Sequence, residues 1–175
     1  MRIIAGTLGG RLFNAPHGHK THPMSDKMRG ALFNILGDLD GLTVLDAFAG
    51  SGALGFEAIS RGATRVLLLE NDRNAQRTIA ENIAALGIAD GIQLIKASAG
   101  AWLTTSNNQQ FDVALLDPPY DNLQESLLAR LTECLKPDGV LVLSWPGKQT
   151  PPELPSLRLQ SSKNYGDGSL HVYVH

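Results

Sequence analysis

A single cysteine in 175 residues rules out an internal disulfide. A chain without covalent cross-links suits a reducing compartment, so a cytoplasmic location is expected. Cys134 itself reads as a small packing residue on a helix. No apolar run approaches the roughly 20 residues that cross a bilayer. The opening Met-Arg-Ile-Ile-Ala-Gly-Thr-Leu-Gly-Gly lacks the sustained apolar segment and cleavage site of a secretory leader. No membrane partner is expected. Charge of one sign is also scarce: 15 lysines and arginines against 17 acids leave a net charge of −2. The chain as a whole therefore does not announce a polyanionic partner. Repeats and low-complexity tracts are missing, and nothing in the sequence calls for a metal. What is present, 43% apolar and 18% charged residues, is the composition of one globular domain with a full core.

The charge is unevenly spread. Residues 1–36 carry Arg2, Arg11, Lys20, Lys27 and Arg29 against Asp26 alone, a balance of +4, so the remainder stands at −6. His17, His19 and His22 lie in the same segment. A basic arm on an acidic body suits a polyanion gripped at one end. Residues 1–24 read as that arm, a short hairpin punctuated by Gly6, Gly9, Gly10 and Pro16, and residues 25–175 as the main domain. Ser25 or Asp26 caps a helix whose apolar stripe is Met28, Ala31, Leu32, Ile35 and Leu36. Arg29 lies off that stripe, free to face a ligand. From residue 42 strands and helices alternate. The strands are Leu42–Phe48, Arg65–Glu70, Ile92–Ala97, Phe111–Leu116 and Val140–Trp145. Helices follow them to Arg61, over Arg73–Leu86, near Gly100–Thr104 and over Asp121–Leu135. Two terminal strands, Leu157–Lys163 and Ser169–Val174, flank Tyr165-Gly166-Asp167-Gly168. This pattern predicts an α/β doubly wound sheet, with ligands beyond the C-terminal strand edges.

Asp46-Ala-Phe-Ala-Gly50-Ser-Gly52-Ala-Leu-Gly55 places G-x-G-x-x-G at a strand-to-helix turn, and Glu70 ends the next strand twenty residues after Gly50. Dinucleotide and S-adenosyl-L-methionine enzymes share that fingerprint. Asp46 separates them. Its carboxylate stands where a pyrophosphate would lie and would repel it, whereas adenosylmethionine brings an ammonium and a sulfonium and no phosphate. S-adenosyl-L-methionine is therefore the expected cofactor. Asp46, Phe48, Ala49, Gly50, Ser51 and Gly52 would surround its methionine part. Glu70 would hold the ribose hydroxyls, Asn71 would border the adenine, and Ser98 would meet the adenine edge.

Asp117-Pro118-Pro119-Tyr120 follows the fourth strand directly. An exocyclic amino group on a nucleobase has its lone pair delocalised and two hydrogens in the ring plane. A carboxylate (Asp117) and a rigid carbonyl (Pro118) can accept both hydrogens and stabilise positive charge as the nitrogen attacks a methyl group. Tyr120 offers a ring for the base to stack on. In isolation Asp-Pro-Pro often only ends a strand; opposite this cofactor loop it reads as catalytic, with Asp117, Pro118 and Tyr120 as its residues and Asp117 also bordering the cofactor.

The string from Asp46 to Ala63, Asp-Pro-Pro-Tyr120, the opening Met-Arg-Ile-Ile-Ala-Gly6, Ser-Asp-Lys-Met-Arg-Gly-Ala-Leu-Phe-Asn-Ile-Leu36 and Tyr165-Gly166 together resemble the RsmD family of bacterial 16S rRNA guanine-N2 methyltransferases over nearly the whole chain. The resemblance implies a Rossmann-like class I methyltransferase fold of seven strands with the last inserted antiparallel. It also implies one N2-methylguanine in 16S rRNA as product and an assembling 30S particle as partner. His22-Pro23-Met24 stands where the family usually has Arg-Pro-Thr, and Lys27 and Gly30 where it has arginine and often glutamate. N2 of a paired guanine is hidden, so the target would be unpaired or flipped out. Arg2, Arg11, Lys20, Lys27 and Arg29 would hold RNA phosphates, and the enzyme is read as a monomer. A DNA adenine-N6 methyltransferase uses the same motif but normally needs additional residues to read sequence. A non-catalytic RNA-binding protein on this fold is the rival from another class. An oxidoreductase lacks a proton-transfer His or Tyr–Lys pair at the strand ends.

Overall fold

The computed structural model describes residues 1–16, 24–106 and 108–175. Its centre is a seven-stranded sheet. The strands are β1 (Thr43–Asp46), β2 (Arg65–Leu69), β3 (Ile92–Ile95), β4 (Phe111–Leu116), β5 (Leu135–Pro146), β6 (Arg158–Asn164) and β7 (Gly168–Val174). They run in the order β3-β2-β1-β4-β5-β7-β6, with β7 antiparallel to both neighbours and the other pairs parallel. The Rossmann-like methyltransferase architecture expected from the sequence is the one observed. Strand order reverses between β1 and β4, where Asp46 pairs with Leu115, so the two strand ends that carry the motifs open into one crevice.

Successive side chains of a strand point to opposite faces, and here both faces are covered. Val44, Val66, Leu68, Val113, Leu115 and Val142 pack with residues of α1 (Asp26–Leu36), α2 (Ala53–Ser60) and α3 (Arg73–Leu86). Their neighbours Leu45, Leu67, Ala114, Leu116 and Leu141 pack with Trp102 of α4 (Ala99–Leu103) and Leu128 and Leu131 of α5 (Glu125–Leu131). That is why these strands read as continuous apolar runs.

The N-terminal arm is part of this packing. Ile3 donates to the Arg11 carbonyl at 3.0 Å and Gly10 to the Ile3 carbonyl at 2.8 Å, which closes a short hairpin. Ile3 and Phe13 are buried, and Phe13 meets Phe56 edge-on at 5.2 Å between centroids. Glu57, wholly buried on α2, accepts the Ile4 and Ala5 amides at 2.7 and 3.1 Å and the Arg61 side chain at 2.7 Å. The arm is thus bolted to the helix that follows the glycine loop.

Some expectations are corrected. α1 starts after Ser25, whose hydroxyl accepts the Met28 amide, but its buried face is Met28, Arg29, Leu32 and Phe33. Ile35 is exposed, because the arm packs on the Arg29–Phe33 side. The helix expected over 121–135 forms only from Glu125 to Leu131 and tightens into a 3₁₀ turn, Thr132–Cys134. β5 begins at Leu135, and its pairing with β4 jumps from Phe111–Leu135 to Val113–Val140, leaving Pro137–Gly139 out of the ladder.

Candidate active site

The turn after β1 is shaped by its glycines. Gly50 and Gly52 have φ of 54° and 80°, a left-handed backbone that other residues resist. Gly55 lets α2 close onto β2, since a Cβ there would collide with Leu68. The first two glycines serve the turn and the third serves helix–strand packing.

A cavity of about 1340 Å³ opens at this turn. Pockets for one small ligand run to roughly 300–1,000 Å³, so cofactor and acceptor can share this one. Phe48, Ala49, Gly50 and Ser51 form one wall and Glu70, Asn71 and Ser98 another. Asp46 and Gly52 lie just behind: Asp46 is fully buried, and Gly52 is packed against the Phe56 ring. The Glu70 carboxylate accepts the Gly50 and Asp72 amides, both at 2.7 Å, which ties the glycine loop to the end of β2. Each of its oxygens keeps a second lone pair for a ligand. Ser98 caps α4 by accepting the Ala101 amide at 3.2 Å.

Both carboxylate oxygens of Asp46 are buried without a hydrogen-bond partner among the described residues. Burial, and then the neighbouring Asp117 carboxylate, push its pKa up to about 8. Burial also raises Asp117. A cation beside the glycine loop would favour the ionised form of both acids and a phosphate would oppose it, so the residues present fit adenosylmethionine.

Asp117, Pro118 and Tyr120 line the same cavity, beyond the end of β4. Asn122 donates to the Pro119 carbonyl at 3.0 Å, while among the described residues no hydrogen bond takes the Pro118 carbonyl. Tyr120 is held by a 2.7 Å hydrogen bond between its hydroxyl and Ser144 of β5, and the residue stays 39% exposed. Gly168 sits against it: a Cβ there would lie 2.9 Å from the Tyr120 hydroxyl and 3.2 Å from Met28 Cε. Tyr165, whose buried hydroxyl has no partner among the described residues, completes that side of the wall. Sequence reasoning did not assign Ser144, Tyr165, Gly168 or Met28 to the site. One signal was available for Ser144, a lone polar residue within the apolar run Val140–Trp145.

The basic residues divide. Lys27 is exposed. Arg2 is exposed and pairs with Asp26 at 3.1 Å. Arg11 donates to the Leu86 and Ala85 carbonyls at the end of α3. Lys20, with His22 and Pro23, lies outside the described residues. Arg29 corrects its expectation: it is 1% exposed, and its Nη2 is spent on the Arg2 carbonyl and Asp26, so it is not a surface residue like Arg2 and Lys27.

The family model described as "Conserved hypothetical protein 95" matches residues 1–174. The chain is 36% identical over 147 residues to ribosomal RNA small subunit methyltransferase D of Haemophilus influenzae, covering 81% of this chain and 76% of that protein. The solved structure of yhhF from Escherichia coli is 29% identical, covers 99% of this chain and 96% of its own, and superposes with a TM-score of 0.87. SMU.776, solved with S-adenosylhomocysteine, shares the fold at a TM-score of 0.65 and 15% identity, over 84% of this chain and 48% of its own. With its motifs meeting in one cavity and its whole length matched, the chain belongs to the RsmD family of S-adenosyl-L-methionine-dependent methyltransferases.

Proposed function

We propose that this chain methylates the exocyclic N2 amino group of a guanine in 16S rRNA, with an assembling 30S particle as its working partner. The observation that carries the reading is the shared cavity: Asp117, Pro118 and Tyr120 line the same space as the Phe48–Ser51 loop. The name of the Haemophilus influenzae relative supports small-subunit rRNA as the substrate.

Adenosylmethionine supplies a methyl group on a sulfonium, which is already an excellent leaving group, so no covalent enzyme intermediate is needed. The chain's part is to hold and to polarise. Glu70, Asn71 and Ser98 border the nucleoside end, and Asp46 favours the cationic end. Asp117 and the Pro118 carbonyl accept the two amino hydrogens, turn the nitrogen lone pair toward the methyl group and stabilise the positive charge that grows on nitrogen. Asp117, raised by burial, is suited to take the proton released as the N–C bond forms. Tyr120, fixed by Ser144, stacks on a base that has left its helix. Positioning of this kind supplies roughly 7–11 kcal/mol in favourable cases. Arg2, Arg11, Lys20 and Lys27 remain the candidates for RNA phosphates.

Methyl incorporation into isolated small subunits, free rRNA and duplex DNA tests the reading. Label in N2-methylguanosine from subunits or rRNA is expected. Label confined to adenine of duplex DNA would replace this reading with a DNA methyltransferase.

A further inference from the structure

Arg29 is buried at the end of the cavity nearest α1, and its guanidinium is only partly satisfied. Nη2 donates to the Arg2 carbonyl at 2.7 Å and to Asp26 Oδ1 at 2.8 Å, but Nε and Nη1 are buried without partners among the described residues. A guanidinium has five N–H donors, so three of them meet no acceptor among those residues. A charged donor left so inside a protein is costly unless a ligand completes it.

The ligand's chemistry follows from the wall. Among the described residues lining the cavity, Arg29 is the one lysine or arginine, whereas Glu70, Asp72, Asp117, Asp121 and Asp167 all contribute carboxylates. Adenosylmethionine carries three charges: a sulfonium and an ammonium, which acids suit, and one carboxylate, which they repel. Arg29 lines the same cavity as Phe48, Ala49, Gly50 and Ser51, so it shares the space expected to hold the methionine part. We infer that Arg29 binds the carboxylate of the cofactor's methionine moiety. Its depth sets it apart from Arg2 and Lys27. The inference concerns the cofactor alone and stands whichever nucleobase is methylated.

Calorimetric titration of the full chain with adenosylmethionine and with decarboxylated adenosylmethionine, which lacks only that carboxylate, tests it. Hydrogen bonds between charged groups are worth about 10- to 100-fold in affinity, so the unaltered protein is expected to prefer adenosylmethionine by that factor. Arg29→Met should bind both ligands alike, at the level of the decarboxylated one, and Arg29→Lys should keep part of the preference. Because Arg29 also ties the arm to α1, a purely structural role would weaken both ligands by the same factor, and that result overturns the inference. So does a preserved preference in Arg29→Met, including one accompanied by a flatter salt dependence of RNA binding. Should Arg29→Met fail to fold, equal affinity of the unaltered protein for the two ligands overturns it just as well.

Discussion

Asp117 carries a carboxylate where β4 ends, next in the chain to the Pro118 carbonyl, and both residues line the cavity. Asp117→Ala should lower the single-turnover rate by about 10²–10³, the usual loss on removing one preorganised polar group. Adenosylmethionine affinity, measured by calorimetry, should stay within a few-fold. An equal collapse of both would make Asp117 structural. Asp46 predicts a pH effect with a definite sign. It is raised to about 8 from the ordinary 3.8 by burial and by the Asp117 carboxylate. Between those values the unfolded chain gives up a proton that the folded chain keeps. Its contribution to stability is therefore full below about pH 3.8 and is lost as pH climbs through about 8. Asp46→Asn removes that loss, so its Tm should exceed that of the parent by a margin that widens from pH 4 to pH 8. Scanning calorimetry across that range checks it; a constant margin contradicts the raised pKa. The same variant should bind adenosylmethionine more weakly, because the group that greets the cation is gone.

Glu57 joins the arm to α2, and α2 begins in the glycine turn. Glu57→Ala leaves two amides and the Arg61 side chain without their buried partner, which should cost about 3–5 kcal/mol. Urea unfolding measures the loss, and hydrogen exchange should show the Ile4 and Ala5 amides opening first. A variant as stable as the parent would mean the arm docks through Ile3 and Phe13 alone. The elements themselves were largely legible beforehand. β4 and α3 fall at the expected residues, because Phe111–Leu116 is apolar except for Asp112 and α3 has a capping Asp72 and a terminating Gly87. The errors came where tertiary contacts override periodicity. Periodicity favoured Ile35 over Phe33 on α1, yet the N-terminal arm covers the other side. Nothing local foretold that Asn82 of α3 would be buried to bond Asn14 of the arm.

Residues 1–36 carry a net charge of +4 while the cavity wall is mostly acidic, so RNA should be held by the arm and only its reactive base admitted. Lys27 is exposed, and among the described residues no ion pair occupies it. Lys27→Ala should reduce the slope of log affinity against log salt by about 0.7–0.9, one phosphate contact, with adenosylmethionine affinity unchanged. An unaltered slope would remove Lys27 from the RNA surface. The site was half readable in advance. Contiguous motifs, residues 46–55 and 117–120, announced themselves by type and spacing, because each is a single turn. The parts assembled from distant segments did not: Ser144 of β5, Tyr165 of the turn before β7 and Gly168 of β7 meet Met28 of α1 only after folding. Arg29 was noticed for its charge but placed on the surface, since burial of one helix face cannot be read where an arm of unknown path covers it. The account rests on an amino group clasped by Asp117 and the Pro118 carbonyl in line with a methyl donor. Nucleoside mass mapping of small-subunit rRNA from cells with the protein, without it and with Asp117→Ala in its place tests that most directly. One N2-methylguanosine should vanish in the second and third. An unchanged N2-methylguanosine map, or loss of a ring-carbon or ribose methyl instead, would contradict it.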